Sequence, residues 1–257
     1  MQRANSIQKL RDDSTPQCVA ILLAGGLGTR FGASTPKQLA LIADKSILSH
    51  TLESLSRSES ITHIVVVANP SWKEEIELDV RRASVSTPLT VVDGGSSRNE
   101  SVKNGVNALP AGSASENILV HDGVRPLFTN DLVARVLHRL ETACAVVPVI
   151  PSADPLFEVS NGEVTQVVSR KEVLRGQSPQ GFKRSVLVPL LNSLSVSRLS
   201  ENSTLYELIQ RHRPEANIGT VEGEFENIKV TQPVDQAIVS SILQRNTAEW
   251  PNAIQTI

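Results

Sequence analysis

Cysteine is scarce in this chain. Only Cys18 and Cys144 occur among 257 residues, no C-x-x-C spacing is present, and both lie beside apolar runs. They are expected as small core residues in a reducing compartment, which excludes a disulfide framework. An excess of one charge is lacking too: the formal net charge is −2 with acids and bases interspersed, so no global basic field recruits nucleic acid or a membrane. Any anion must be held by local cationic sites. Residues Met1 to Pro16 are polar and lack the apolar core of a signal peptide, so a cytoplasmic protein with a frayed 1–16 segment is expected. Long linkers, low-complexity tracts and internal repeats are absent, as is any His or Cys nucleophile arrangement. At 257 residues and 40% hydrophobic, the chain can bury the core of one α/β domain, expected over 17–246, with 247–257 as a tail.

What is present is concentrated in Val19-Ala20-Ile21-Leu22-Leu23-Ala24-Gly25-Gly26-Leu27-Gly28-Thr29-Arg30, followed by Pro36-Lys37-Gln38. A buried strand runs into a glycine loop carrying two cations. Gly25, Gly26 and Gly28 let backbone N–H groups approach phosphate oxygens with no Cβ in the way, and Arg30 and Lys37 reach the same oxygens from either end. Such a loop suits a triphosphate. It is not a Walker loop, because Lys37 follows a proline instead of standing in G-K-[ST]. Nor is it the dinucleotide fingerprint, because Phe31 occupies the third glycine position and Gly32 comes one residue late.

Short apolar runs alternate with helical periods. Ile61–Ala68, Leu89–Val92, Ile118–Val120 and Ala143–Val149 read as buried strands, and Ile47–Leu55, Trp72–Ala83, Ser101–Leu109 and Leu132–Leu140 read as helices. The alternation predicts an α/β fold, a mostly parallel sheet with helices on both faces. Ligands of such sheets sit beyond the carboxyl ends of the strands. From Pro151 to Ser169 the pattern changes to alternating flanks around Asn161-Gly162, which reads as a β-hairpin arm. A two-stranded arm rarely stands alone in water, so the arm over 151–169 is expected to dock on a second subunit.

Two further clusters follow strands: Val92-Asp93-Gly94-Gly95-Ser96-Ser97-Arg98-Asn99-Glu100-Ser101-Val102 and Val120-His121-Asp122-Gly123-Val124-Arg125-Pro126. Gly94-Gly95 admits a flat base, Ser96 and Ser101 supply short donors and acceptors, and Ser97 reads as a helix cap. Asp122 ends a hydrophobic strand, where a carboxylate suits Mg²⁺ or a ligand hydroxyl. A structural Asp122–Arg125 pair explains it nearly as well.

Taken in order, A-G-G-x-G-x-R with P-K-Q, G-G-x-x-R-x-x-S-V, H-D-x-x-R-P, Gln177-Ser178-Pro179-Gln180-Gly181-Phe182 and Asn227-Ile228-Lys229-Val230-Thr231 resemble the 2-C-methyl-D-erythritol 4-phosphate cytidylyltransferase family and its relatives, the ribitol-5-phosphate cytidylyltransferases. The resemblance implies a modified Rossmann-like fold, CTP and a polyol phosphate as substrates, Mg²⁺, and a homodimer that exchanges arms. It also implies that Arg30 and Lys37 stabilise the pentacovalent α-phosphate, and that the Ala24–Gly28 backbone cradles the triphosphate. Gly95, Ser96 and Ser101 would read cytosine and ribose. Asp122, Arg125, Arg170, Ser178 and Lys229 would hold the acceptor, with Arg170 delivered by the partner's arm and Asp122 also the candidate metal ligand.

The acceptor is itself an anionic phosphate, so no protein base is required, and His121 is expected only to orient its neighbour. The chain departs from the family pattern at Ser200-Glu201-Asn202-Ser203-Thr204, and again at Asp154-Pro155-Leu156-Phe157. Glu201, Pro155 and Phe157 are therefore expected to reshape the acceptor pocket. Leu205 and Glu207 favour methylerythritol phosphate, whereas Arg98-Asn99-Glu100-Ser101 and Arg175-Gly176-Gln177 look more like the ribitol branch. A non-catalytic nucleotide-binding module is the remaining class; Arg30 and Lys37 together weigh against it.

Overall fold

The computed structural model describes residues 16–26, 35–110, 115–201 and 203–247. Gly28 and Arg30 lie outside the described residues, as do most of the expected N-terminal and C-terminal tails. The first strand, β1 (Cys18–Ala24), pairs in parallel with β4 (Ile61–Ala68) on one side and with β6 (Asn117–Asp122) on the other. β5 (Leu89–Asp93) extends the sheet beyond β4, again in parallel. Beyond β6, β11 (Gln180–Lys183) enters antiparallel and links it to β7 (Ala145–Pro151). β7 also pairs antiparallel with β10 (Leu174–Gly176) and in parallel with β12 (Ile218–Glu222). The fold is thus α/β with a mostly parallel, mixed sheet of eight strands.

Alternation along the central strands sets the two faces. Ala20, Leu22 and Ala24 of β1, with Ile64, Val66 and Ala68 of β4, pack against α1 (Ile47–Ser56), α2 (Lys73–Arg82) and α4 (Asn130–Arg139). Val19, Ile21, Val65 and Val67 face α3 (Arg98–Asn107), α5 (Arg184–Ser193) and α7 (Leu205–His212). Both faces are fully covered, and strands covered on both faces are uniformly apolar instead of alternating. A third, smaller cluster joins Ile42, Ile47 and Val124 to Val230 and to Val239 of α8 (Pro233–Thr247). It seats the segment carrying Lys229 beside the carboxyl end of β6.

α3 begins at Arg98, three residues before the periodicity indicates, because Ser97 caps it by accepting from the Glu100 N–H. The arm is a separate hairpin of β8 (Leu156–Ser160) and β9 (Glu163–Val168). Asn161 and Gly162 turn it with φ of 51° and 85°, the left-handed pair that a tight hairpin turn requires. Phe157 lies opposite Val167 and Val159 opposite Val164, and all four are exposed. Further elements among the described residues include the short hairpin β2 (Leu41–Ile42) and β3 (Lys45–Ser46), and the single turn α6 (Val196–Leu199).

Candidate active site

The carboxyl ends of β1, β4, β5 and β6 open into a cleft of about 540 Å³. Gly25 and Gly26 line it from β1, Asn69 from β4, and Gly95, Ser96, Arg98 and Ser101 from the start of α3. Lys37 enters from a short 3-10 turn, Lys37–Leu39, set by Pro36 at φ −56° and ψ 136°. Asp122 and Lys229 close the far side. Three cations, Lys37, Arg98 and Lys229, thus face one carboxylate in the described lining, a balance that suits an anionic ligand.

Asp122 is the electrostatic hub. Its carboxylate lies 3.0 Å from Lys229 Nζ, 3.3 Å from Arg125 Nε and 3.8 Å from Arg98. Burial raises the pKa of such a group, but the charges of Lys229, Arg98 and Arg125 outweigh burial and hold Asp122 well below the usual carboxylate range. It is therefore ionised and fixed.

The segments around it are locked by buried amides. Asn227, wholly buried, donates from Nδ2 to the Ser178 carbonyl at 2.7 Å and takes Arg125 on its own carbonyl at 2.7 Å. Gln177 donates to the Glu224 carbonyl at 2.7 Å and accepts from the Glu224 N–H at 3.0 Å. The Val230 N–H donates to the Val124 carbonyl at 2.9 Å. Lys229 is consequently held in register with the 122–125 turn by contacts on either side of it.

Arg125 and Ser178 do not line the cleft, contrary to their expected place among acceptor ligands. Both are buried behind Asp122: Arg125 pairs with the carboxylate, and the Ser178 hydroxyl accepts from the Asp122 N–H at 3.1 Å. Arg170, expected at the acceptor from the partner's arm, lies outside this chain's own cleft, and its guanidinium donates to the Ala153 carbonyl at 2.8 Å. Glu201 pairs with Arg198 at 2.8 Å and Arg211 at 3.1 Å, outside the cleft. Glu207 completes a capping box with Thr204, a helix-starting role that carries no information about the acceptor.

Asp122, the expected metal ligand, stands among cations in this structure. Its oxygens are committed to three cations, and among the described residues no three His, Cys, Asp or Glu side chains gather as a ligand set. His121 is fully buried and packs edge-on against Phe128 at 4.5 Å. Its Nε2 bonds the Arg125 carbonyl at 3.0 Å, and burial pushes its pKa down to about 4. A neutral ring with Nε2–H as donor follows, tying strand to turn.

Ser96 donates its N–H and hydroxyl to the Glu100 carboxylate, at 2.7 and 2.6 Å. The Glu100 methylenes pass so close to Gly95 that a Cβ there would meet them at 2.3 Å. The protein's own packing therefore demands glycine at 95, whether or not a base approaches it. Ser101 braces the same turn, accepting from the Gly95 N–H and donating to the Ser97 carbonyl.

Gln38, Asn69, Arg98, Gln177 and Asn227 also build the site, beyond the residues expected from the sequence. Arg98 stands inside the G-G-x-x-R motif, and Asn69 directly follows a strand end, which is where crevice residues belong.

A glycine-loop cleft with a cationic lining at the strand ends of this sheet suits a nucleotide, and the relatives place the chain among the nucleotidyltransferases. The chain belongs to the 2-C-methyl-D-erythritol 4-phosphate cytidylyltransferase (IspD) family, whose profile matches residues 18–245; it is a cytidylyltransferase, an enzyme class whose co-substrate is CTP. A 2-C-methyl-D-erythritol 4-phosphate cytidylyltransferase of Cereibacter sphaeroides is 33% identical over 224 residues, covering 87% of this chain and 96% of that protein. A ribitol-5-phosphate cytidylyltransferase of Lactiplantibacillus plantarum is 33% identical over 239 residues, covering 89% and 99%. A bifunctional ribulose 5-phosphate reductase/CDP-ribitol pyrophosphorylase of Haemophilus influenzae is 31% identical over 88% of this chain, which spans only 48% of that protein. Among solved structures, a 4-diphosphocytidyl-2C-methyl-D-erythritol synthase of Anaerococcus prevotii superposes with a TM-score of 0.76 at 25% identity, covering 90% of this chain and 100% of that one.

Proposed function

We propose that this chain transfers the cytidylyl group of CTP to the phosphate of 2-C-methyl-D-erythritol 4-phosphate and releases pyrophosphate. The observation that carries the reading is the meeting, in one cleft, of the β1 glycine loop, Lys37 and the Lys229–Asp122 pair. In this reading the loop holds the triphosphate, with Arg30 and Lys37 at the α-phosphate. Gly95, Ser96 and Ser101 face cytosine and ribose, and Asp122 and Lys229 meet the acceptor.

An acceptor phosphate oxygen is anionic at neutral pH and attacks the α-phosphorus directly. That bond forms as the bond from the α-phosphorus to the bridging oxygen breaks, and pyrophosphate leaves with its electron pair. No proton needs to be taken by the protein, in keeping with a buried neutral His121. The two substrates repel each other, so the protein's task is to neutralise charge and align the displacement. Mg²⁺ would accompany the nucleotide in this reading and supply further charge neutralisation at its phosphates.

The reading includes a cytoplasmic homodimer. Phe157, Val159, Val164 and Val167 give the hairpin an apolar face that a second copy covers, and Arg170 of the partner subunit then reaches the acceptor end of the cleft. D-ribitol 5-phosphate is the second reading for the acceptor, supported by relatives named for it that match this chain as well as those named for methylerythritol phosphate. The test is pyrophosphate release from CTP with each acceptor supplied separately. Release with methylerythritol phosphate supports the leading reading, release with ribitol 5-phosphate alone moves the assignment to the second, and release with neither overturns both.

A further inference from the structure

Where β1 leaves the sheet, three successive carbonyls are taken by donors from three different parts of the chain. The Leu23 carbonyl accepts from the Gly123 N–H at 2.9 Å. The Ala24 carbonyl accepts from Gln38 Nε2 at 2.6 Å, and the Gly25 carbonyl from Asn69 Nδ2 at 3.0 Å. Gln38 is almost wholly buried at 1% exposure, so an unmet amide there would be costly. The sense of the Asn69 amide is fixed independently, because its Oδ1 accepts the Ser71 N–H at 2.9 Å and leaves Nδ2 as the donor.

A trans peptide points its carbonyl and the following N–H in opposite directions. Anchoring the Ala24 carbonyl therefore fixes the direction of the Gly25 N–H, and anchoring the Gly25 carbonyl fixes that of Gly26. Among the described residues, chain neighbours aside, no atom lies within 4 Å of where a Cβ would stand at Gly26, and at Gly25 the Ser101 hydroxyl does, at 4.0 Å. Both glycines line the open cleft. A glycine loop is free to turn either end of a peptide toward a ligand, and a carbonyl turned inward would repel a phosphate.

The geometry points to Gln38 and Asn69 as positioning residues for the triphosphate: their amides clamp the Ala24 and Gly25 carbonyls so that the loop presents N–H groups, not oxygens, to the anion. The inference rests on the reading of this loop as the CTP site and adds what holds it in its binding form. Both side chains border the cleft, but the clamp acts through the backbone carbonyls they hold.

Asn69→Ser separates this role from a structural one. Serine still accepts the Ser71 N–H as a cap, but its hydroxyl stands one atom short of the amide nitrogen and does not reach Gly25. Calorimetric titration with CTP alone is expected to give a Kd raised about tenfold, the scale of one lost hydrogen bond, with the acceptor KM within about twofold. A folded Asn69→Ser protein with wild-type CTP affinity overturns the proposal.

Gln38→Glu supplies the second test. The buried acid donates to the Ala24 carbonyl only while protonated, and burial raises its pKa. Its CTP affinity relative to wild type is expected to recover as pH falls, whereas a ratio flat in pH contradicts the clamp. Wild-type protein that binds no CTP overturns the reading of the cleft; wild type that binds, with variants that match it, overturns the clamp alone.

Discussion

The Arg125 guanidinium donates to the backbone carbonyl of Asn227 at 2.7 Å across 102 positions of sequence. Through that bond the turn after β6, which carries Asp122, and the segment that carries Lys229 become one rigid unit.

Arg125→Ala tests that unit. It removes the Asn227 contact and one of three cations on a carboxylate that keeps Lys229 and Arg98. Urea unfolding is expected to show a loss of about 1–3 kcal/mol, the cost of buried groups left unmet. The acceptor KM should rise in the protein that remains folded. Unchanged stability and unchanged KM together would show the unit to be dispensable.

Lys37→Ala is expected to lower kcat by roughly 10²-fold or more while CTP affinity changes far less, because charge at the α-phosphate grows in the transition state. Arg30→Ala should behave alike. Near-normal kcat in either variant removes it from the chemistry.

His121 predicts a pH dependence of stability. Its folded pKa of about 4 lies below the ordinary histidine value near 6.5, so the unfolded chain binds a proton more readily than the native one. Its contribution is complete above about pH 6.5 and is lost as pH falls toward 4, by up to about 3 kcal/mol. Asp122, also depressed, adds a loss at lower pH, beginning below its unfolded value near 3.9. His121→Gln should flatten the profile between pH 6.5 and 4 and leave the lower limb in place. A wild-type profile already flat in the upper window contradicts the placement of the ring.

The arm predicts complementation. Phe157→Asp should weaken self-association in sedimentation, and mixing Arg170→Ala protein with Lys37→Ala protein should restore part of the activity if each site draws on both subunits. Dimers that form in the mixture yet regain nothing would contradict a shared site.

Much of the frame is legible in the sequence, because strands buried on both faces and helices between them leave strong local patterns. Ile61–Ala68 is recovered residue for residue, and Asn161-Gly162 gives the hairpin turn. The site is legible only where its residues sit in motifs. Gln38 and Asn69 act through amides on carbonyls 14 and 44 positions away, and Asn227 on Ser178, 49 away; no local pattern encodes such pairs. The Asp122–Arg125 pair, three residues apart, is legible in the H-D-x-x-R-P motif, whereas the Ser178 contact with Asp122 spans 56 positions and is set by tertiary packing. Glu201 meets Arg211 for the same reason: a contact between separate elements decides which way a carboxylate faces.

The central claim, cytidylyl transfer with methylerythritol phosphate as the preferred acceptor, is tested most directly by competition. Limiting CTP is supplied with equal concentrations of 2-C-methyl-D-erythritol 4-phosphate and D-ribitol 5-phosphate, and the two CDP-linked products are quantified, their ratio giving the ratio of kcat/KM. An excess of the methylerythritol product is expected. An excess of CDP-ribitol would contradict the acceptor while leaving cytidylyl transfer intact, and no CDP-linked product at all would contradict the account as a whole.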